Sequence, residues 1–255
     1  MKIIKYTALI LLLTGFFASC DSFLDRQPDE ALNEEKIFMK RATTEQYLYH
    51  VYSYVPDEWN AGDNQGWIPA SDEAKFGYSR GFTQMNNGAW NVSAPPYAKW
   101  AHYYRGIREA TYFMSKVDLC PELRAEEKTQ YKTEARFLRA FYYYQLMRMY
   151  GPVIITGDVP VDITNADLSI SRSSWDETVK YICEEMWAVS QILPKTIEDQ
   201  MWYGKPTKGA ALAIRSIVKL YDASPLYNNP DRSKYIYGDL KNHDGTPLFP
   251  QSYDF

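Results

Sequence analysis

The chain has 255 residues, a formal net charge of −4 and 45% hydrophobic residues. That length allows one domain of ordinary size, and the acidic balance argues against a nucleic-acid partner, which needs a basic face. Its three cysteines are too few for a disulfide framework.

Lys2 and Lys5 precede an apolar run from Ala8 to Phe17, then Ala18-Ser19-Cys20. A basic start, a short apolar stretch and small residues describe a secretory signal over residues 1–19, too short to span a bilayer. A cysteine at the cleavage point is the substrate of lipoprotein processing, so Cys20 is the expected lipidation site and residues 20–35, acidic and polar with one proline, the expected tether. Cys120 and Cys183 then remain, and they read as buried thiols rather than as a pair.

The first helix is predicted over 43–55, with Thr43 and Gln46 as a capping box and Pro56 as its end. An irregular stretch follows from Asp57 to Pro96, rich in Gly, Asn, Asp, Trp and Tyr; irregular lengths of this size inside a compact fold are usually functional. From Pro95 onward the pattern becomes helical in pairs. Trp100, Tyr103, Tyr104 and Ile107, then Ala140, Tyr144, Met147 and Pro152, fall at the spacings of the two helices of a tetratricopeptide unit. The spacings recur as Trp175, Thr178, Val179 and Ile182, then Ala213, Ile217, Leu220 and Pro225. The copies lie about 75 residues apart rather than the usual 34, which implies enlarged connections.

Between Glu134 and Tyr150 there is no Pro or Gly, and apolar residues fall on nearly every side of the helical wheel. A helix wetted on one side shows one polar stripe, so this one is expected to be packed on two sides. Gly151 and Pro152 end it. Ser174 and Glu177 form a capping box for a helix over 175–193, stopped by Pro194. Extended pieces are expected only at 153–155 and 159–163. From Asn228 to Phe255 no helical period remains, a structureless length that suits a chain continuing elsewhere better than a domain's end.

Enzyme signatures are missing. The sequence holds no G-x-S-x-G elbow and no H-E-x-x-H. GKPTKG (204–209) lacks the first glycine of a phosphate loop, and Pro206 removes an amide that would point at phosphate. His50, His102 and His243 are scattered, with no Cys or carboxylate at metal spacing; His50 and His102, on predicted helices, read as packing or surface residues. The carboxylate pairs Glu126-Glu127 and Glu184-Glu185 are adjacent in sequence and read as solvated helix faces; Asp72-Glu73 is adjacent too. Glycoside hydrolysis needs two carboxyls facing each other across a bond.

The irregular stretch instead sets flat aromatics beside amides: Trp59-Asn60, Trp67 after Asn64-Gln65-Gly66, and Arg80 to Asn91, RGFTQMNNGAWN. A sugar presents an apolar C–H face and a rim of hydroxyls. An indole stacks on the face, and Asn, Gln, Asp or Arg hydrogen-bonds the rim. The competing reading of each tryptophan is that its loop folds back and buries it.

Two blocks carry a family resemblance. ARFLRAFYYYQLMRMYGPVII (135–155) and YGKPTKGAALAIRSIVKLYDASPLYN (203–228), with the CDSFLD start at 20–25, resemble the SusD/RagB family, the outer-membrane nutrient-binding lipoproteins of Bacteroidetes-type bacteria. The resemblance implies a mainly α fold of tetratricopeptide-like helical hairpins with long irregular loop insertions, incomplete in this chain: residues 36–255 would be the N-terminal part of such a domain. It also implies glycan capture without catalysis or cofactor, and a partner, a SusC-like TonB-dependent transporter over which the protein sits as a lid. In starch-binding relatives an Arg and a Trp-Asn pair from the N-terminal loop region touch glycan. Arg80, Trp90 and Asn91, after SDEAKFGYSRG (71–81), match that stretch; Trp67 and Trp59 are the next candidates. The same architecture would also serve a peptide-binding lid, an anchored glycoside hydrolase is a weaker alternative, and a purely structural adaptor is the third.

Overall fold

The computed structural model describes residues 34–57, 68–75, 83–160, 170–228 and 239–250, and apart from one short turn everything below lies in the unit from Ile37 onward. That turn is α1, Glu34–Ile37. The other helices are α2 (Arg41–Tyr52), α3 (Thr83–Asn86), α4 (Trp100–Lys116), α5 (Ala125–Tyr150), α6 (Trp175–Ser190) and α7 (Lys208–Asp222). Among the described residues extended structure is limited to two isolated bridges, Asn91 with Ala94 and Lys241 with Pro247.

At about 1.5 Å per residue, α5 is a rod of about 39 Å around which the rest is arranged. It packs on α4 on one side and α6 on the other, with α2 also against it. The missing polar stripe is thereby explained: Tyr142, Tyr143, Tyr144, Gln145, Leu146 and Met147 are six consecutive buried residues. Successive helices run antiparallel. The start of α4 meets the end of α5 where the backbone N–H groups of Lys99 and Trp100 donate to the Tyr150 hydroxyl, at 2.8 and 3.1 Å. The start of α6 meets the end of α7 where Trp175 Nε1 donates to Asp222 Oδ1 at 2.8 Å. These are the helical hairpins expected from the repeat spacing.

Among the described glycines, Gly106 of α4 has the least room. A methyl group there would come within 2.9 Å of the Tyr142 ring and 3.0 Å of Tyr54 Cβ. Tyr142 stacks on Tyr103 with centroids 6.1 Å apart and donates its hydroxyl to the Val51 carbonyl of α2, so one phenol ties three helices together. Glycine at 151 stops α5 with φ 72° and ψ −132°, its N–H bonded to the Met147 carbonyl at 2.9 Å. Cys120 and Cys183 are both buried and both free.

The structure corrects five expectations. Helix α2 starts at Arg41 rather than Thr43, whose hydroxyl donates to the Ile37 and Lys40 carbonyls from inside the first turn; the helix start is held by Glu122, which accepts from the Arg41 N–H at 2.7 Å. Ser174 and Glu177 do form their capping box, but α6 ends at Ser190, three residues early. In α7 the expected inward set, Ala213, Ile217 and Leu220, is exposed, and Ala211 and Val218 are buried instead with Ala210, Ile214 and Tyr221 beside them. Glu185 is no solvated residue: it is buried, with Arg136 Nη2 at 2.6 Å and Arg139 Nη2 at 3.0 Å. Glu127 is likewise paired, its Oε2 lying 2.9 Å from Arg41 Nη2 and 3.2 Å from Arg124 Nε. Finally, residues 239–250 fold back on α6: the Trp175 N–H donates to the Leu248 carbonyl at 2.7 Å, and Phe249 joins a stack with Trp175 and Tyr227.

Candidate functional site

The irregular stretch ahead of α4 closes on a fixed turn. After α3, Gly88 takes φ 63° and donates to the Met85 carbonyl, while Ala89 donates to Gln84. That reversal lifts Trp90 clear of the core, with 53% of its surface exposed. Asn91 beside it shapes the next bend: its Oδ1 accepts from the N–H groups of Ser93 at 2.9 Å and Ala94 at 3.0 Å, the local side-chain turn that makes Asn favoured at such places. With Oδ1 committed to the backbone, the Nδ2 amide of Asn91 points to no partner among the described residues. An exposed indole and a free amide donor are thus adjacent on a braced turn.

Nine residues on, α4 begins at Trp100, and its first turns floor a cleft of about 320 Å³ lined by Trp100, Tyr104, Ile107, Ile154, Val159 and Ile170 among others. The Tyr104 hydroxyl accepts from the Ile154 N–H at 2.7 Å and donates to the Ile154 carbonyl at 3.0 Å, which fixes the cleft wall. Burial pushes the Tyr104 phenol well above its ordinary value, so it stays neutral. The Arg172 guanidinium lies 5.0 Å from the Trp100 ring centroid, a cation–π contact that holds the indole in place. A cleft of this kind offers an apolar face with a few polar atoms, the make-up of a small-molecule site.

Other ionisable groups are arranged for structure. His102 has its ring Nε2 3.1 Å from the Tyr54 carbonyl, and burial lowers its basicity. Burial alone would raise the Glu185 carboxyl, but the hydrogen bonds and charges of Arg136 and Arg139 outweigh it and hold the group below the usual carboxylate range. Among the described residues no group of three His, Cys, Asp or Glu is placed to hold a metal, and no helix is long and apolar enough to cross a membrane.

Of the residues singled out in sequence, Trp90 and Asn91, neighbours in the chain, are both exposed. Arg80, Trp67, Trp59 and Cys20 lie outside the described residues. In GKPTKG, Thr207 caps α7 by accepting from the Ala210 N–H at 3.2 Å, and Lys205 turns inward to Glu134 at 3.2 Å. Sequence reasoning missed a second exposed group, the aromatic Trp202 and Tyr203 with Met201, beside Tyr49 of α2. Its signal was the one used for the first stretch, a tryptophan in a polar, glycine-containing connection.

Over residues 22–220 the sequence matches the SusD-like family described as starch-binding and associating with the outer membrane. It is 25% identical over 224 residues to a SusD-like protein of Formosa agariphila, covering 86% of this chain and 42% of that protein. A SusD-like protein of Bacteroides ovatus is 23% identical over 248 residues, with 90% and 41% covered. The chain therefore spans about two fifths of the length of these relatives. Among solved structures, a laminarin-binding SusD-like protein superposes with a TM-score of 0.63 at 21% identity, covering 76% of this chain and 44% of that one, a likeness of fold.

Proposed function

The chain belongs to the SusD-like family, and from that premise we propose that it captures an oligosaccharide at the outer surface of the cell, without cutting it, and passes it to a SusC-like TonB-dependent transporter. The lipid on Cys20 would hold it at the membrane. The observation that carries the reading is the exposed indole of Trp90 next to the free amide of Asn91 on a turn braced by Gly88 and the Asn91 side chain. Stacking on a flat ring while an amide donates to a hydroxyl is how a neutral sugar is recognised. The laminarin-binding neighbour supports a carbohydrate ligand for this fold. Arg80, Trp67 and Trp59 would extend the surface, and the transporter would supply the energy.

The test is retardation of the purified chain in native gels cast with laminarin, pullulan or galactomannan, beside Trp90→Ala. Retardation of the parent that is weakened in the variant supports the proposal, and no retardation, or equal retardation of both proteins, overturns it. Release of new reducing ends during the incubation would overturn the non-enzymatic half.

A further inference from the structure

The 3₁₀ turn Gln200–Trp202 precedes α7, and Asp199 caps it by accepting from the Met201 N–H at 2.9 Å. Three consecutive large side chains leave this turn outward: Met201 is 79% exposed, Trp202 39% and Tyr203 65%. Together with Tyr49 and Tyr52 of α2 and with Lys205 they line a groove of about 380 Å³, within the size range of small-molecule sites.

The indole is not loose. Lys205 Nζ sits 4.5 Å from the Trp202 ring centroid and 3.2 Å from Oε1 of the fully buried Glu134, which also accepts from the Tyr52 hydroxyl at 2.9 Å. A buried carboxylate thus anchors the ammonium, and the ammonium fixes the ring. An exposed indole held in this way has part of its conformational cost met before any ligand arrives.

We propose that this groove is a second contact surface for a neutral oligosaccharide, with sugar rings lying on Trp202 and Tyr203. Two features choose the ligand class. The exposed rings are flat, and Tyr49 and Tyr203 carry hydroxyls that suit a sugar's rim. The ionic groups at the groove, Lys205 and the Glu134 beneath it, satisfy each other and leave no net charge to attract an ionic ligand. The surface is separate from the cleft at Trp100. Lys205 is anchored at Glu134 and the Trp100 end of α4 at Tyr150, sixteen residues apart on α5, about 24 Å along the axis. Two stacking surfaces on one rigid rod would let a long glycan bind at two points, with the gain in avidity that linked sites give.

The experiment uses the same laminarin, pullulan and galactomannan gels with Tyr203→Ala, Tyr49→Ala and Trp90→Ala, each checked for an unchanged melting curve. Both tyrosine variants are expected to lose about threefold or more in apparent affinity, the scale of one lost aromatic contact. Retardation of both at the parent's level, or a parent that no gel retards, overturns the inference. Loss with Trp90→Ala alone overturns this surface and leaves the Trp90 reading; loss with the tyrosine variants alone does the reverse.

Discussion

The ammonium of Lys205 lies 3.2 Å from the carboxylate of Glu134, a side chain with no solvent exposure at all. Glu134 has two neutral donors besides, the Tyr52 hydroxyl at 2.9 Å and Gln130 Nε2 at 3.2 Å. Neither can balance its charge. Lys205→Met should therefore destabilise the protein by about 3 kcal/mol, the cost of leaving a buried charge uncompensated. Adding Glu134→Gln should recover part of the loss, because the unpaired charge is then gone. Urea unfolding of the parent, both single variants and the double closes the cycle; strictly additive effects would show that the two groups do not interact.

A second buried charge should govern the acid response. Glu185 bridges Arg136 and Arg139, at 2.6 and 3.0 Å, and Arg139 is 2% exposed. The folded carboxyl lies below its ordinary value of about 4.3. Its stabilisation is accordingly complete above the unfolded value and lost as pH falls through the folded one. Arg139 keeps a second partner in Asp158 at 2.6 Å, so Glu185→Gln should cost about 1–3 kcal/mol near neutrality, and the gap between variant and parent should narrow below about pH 4. Unfolding curves measured across that range check it; a gap that stays constant with pH would mean that the carboxylate's charge does not matter.

Parts of this architecture were legible in the sequence, for reasons that differ residue by residue. The α5 rod was visible because a helix covered on two sides loses its polar stripe, and that loss is written in consecutive tyrosines. The start of α6 was visible because Ser174 and Glu177 cap it from within four residues. The start of α2 was hidden because Glu122, which holds the Arg41 N–H, is 81 positions away. The inward edge of α7 was ambiguous because its apolar arc is wide, opposite Lys208, Arg215 and Lys219: Ala213, Ile217 and Leu220 lie along one side of that arc and Ala211, Ile214 and Val218 along the other. Only packing against α6 chooses between them. At the candidate site, the polar, glycine-rich surroundings of Trp90 left open whether its loop would fold back over it, and the backbone turn at Gly88 leaves the ring exposed. Trp202 has the same surroundings in a shorter connection, so search by loop length passed over it.

Gly106 tests whether packing outweighs propensity. In an open helix Gly→Ala stabilises by about 1 kcal/mol. Here the new methyl would stand 2.9 Å from a tyrosine ring. That ring is held by Tyr103 on one side and by its hydroxyl on Val51, so it has nowhere to shift. Gly106→Ala should destabilise by about 1–3 kcal/mol, as overpacked cores do. A higher melting temperature for the variant would mean that α4 and α5 approach less closely than described.

Asn91 offers a way to part the two duties of one side chain. Its Oδ1 holds the turn through the N–H groups of Ser93 and Ala94, and its Nδ2 is left for a ligand. Asp keeps the acceptor and removes the donor, whereas Ala removes both. Asn91→Asp should therefore unfold like the parent, within about 0.5 kcal/mol as expected of a surface change, and yet be less retarded in glycan gels by about fivefold, the scale of one hydrogen bond of about 1 kcal/mol. Asn91→Ala should lose at least as much retardation and also loosen the turn. Equal retardation of Asn91→Asp and parent, with only Asn91→Ala affected, would assign Asn91 to the turn alone and leave Trp90 to meet the sugar without it.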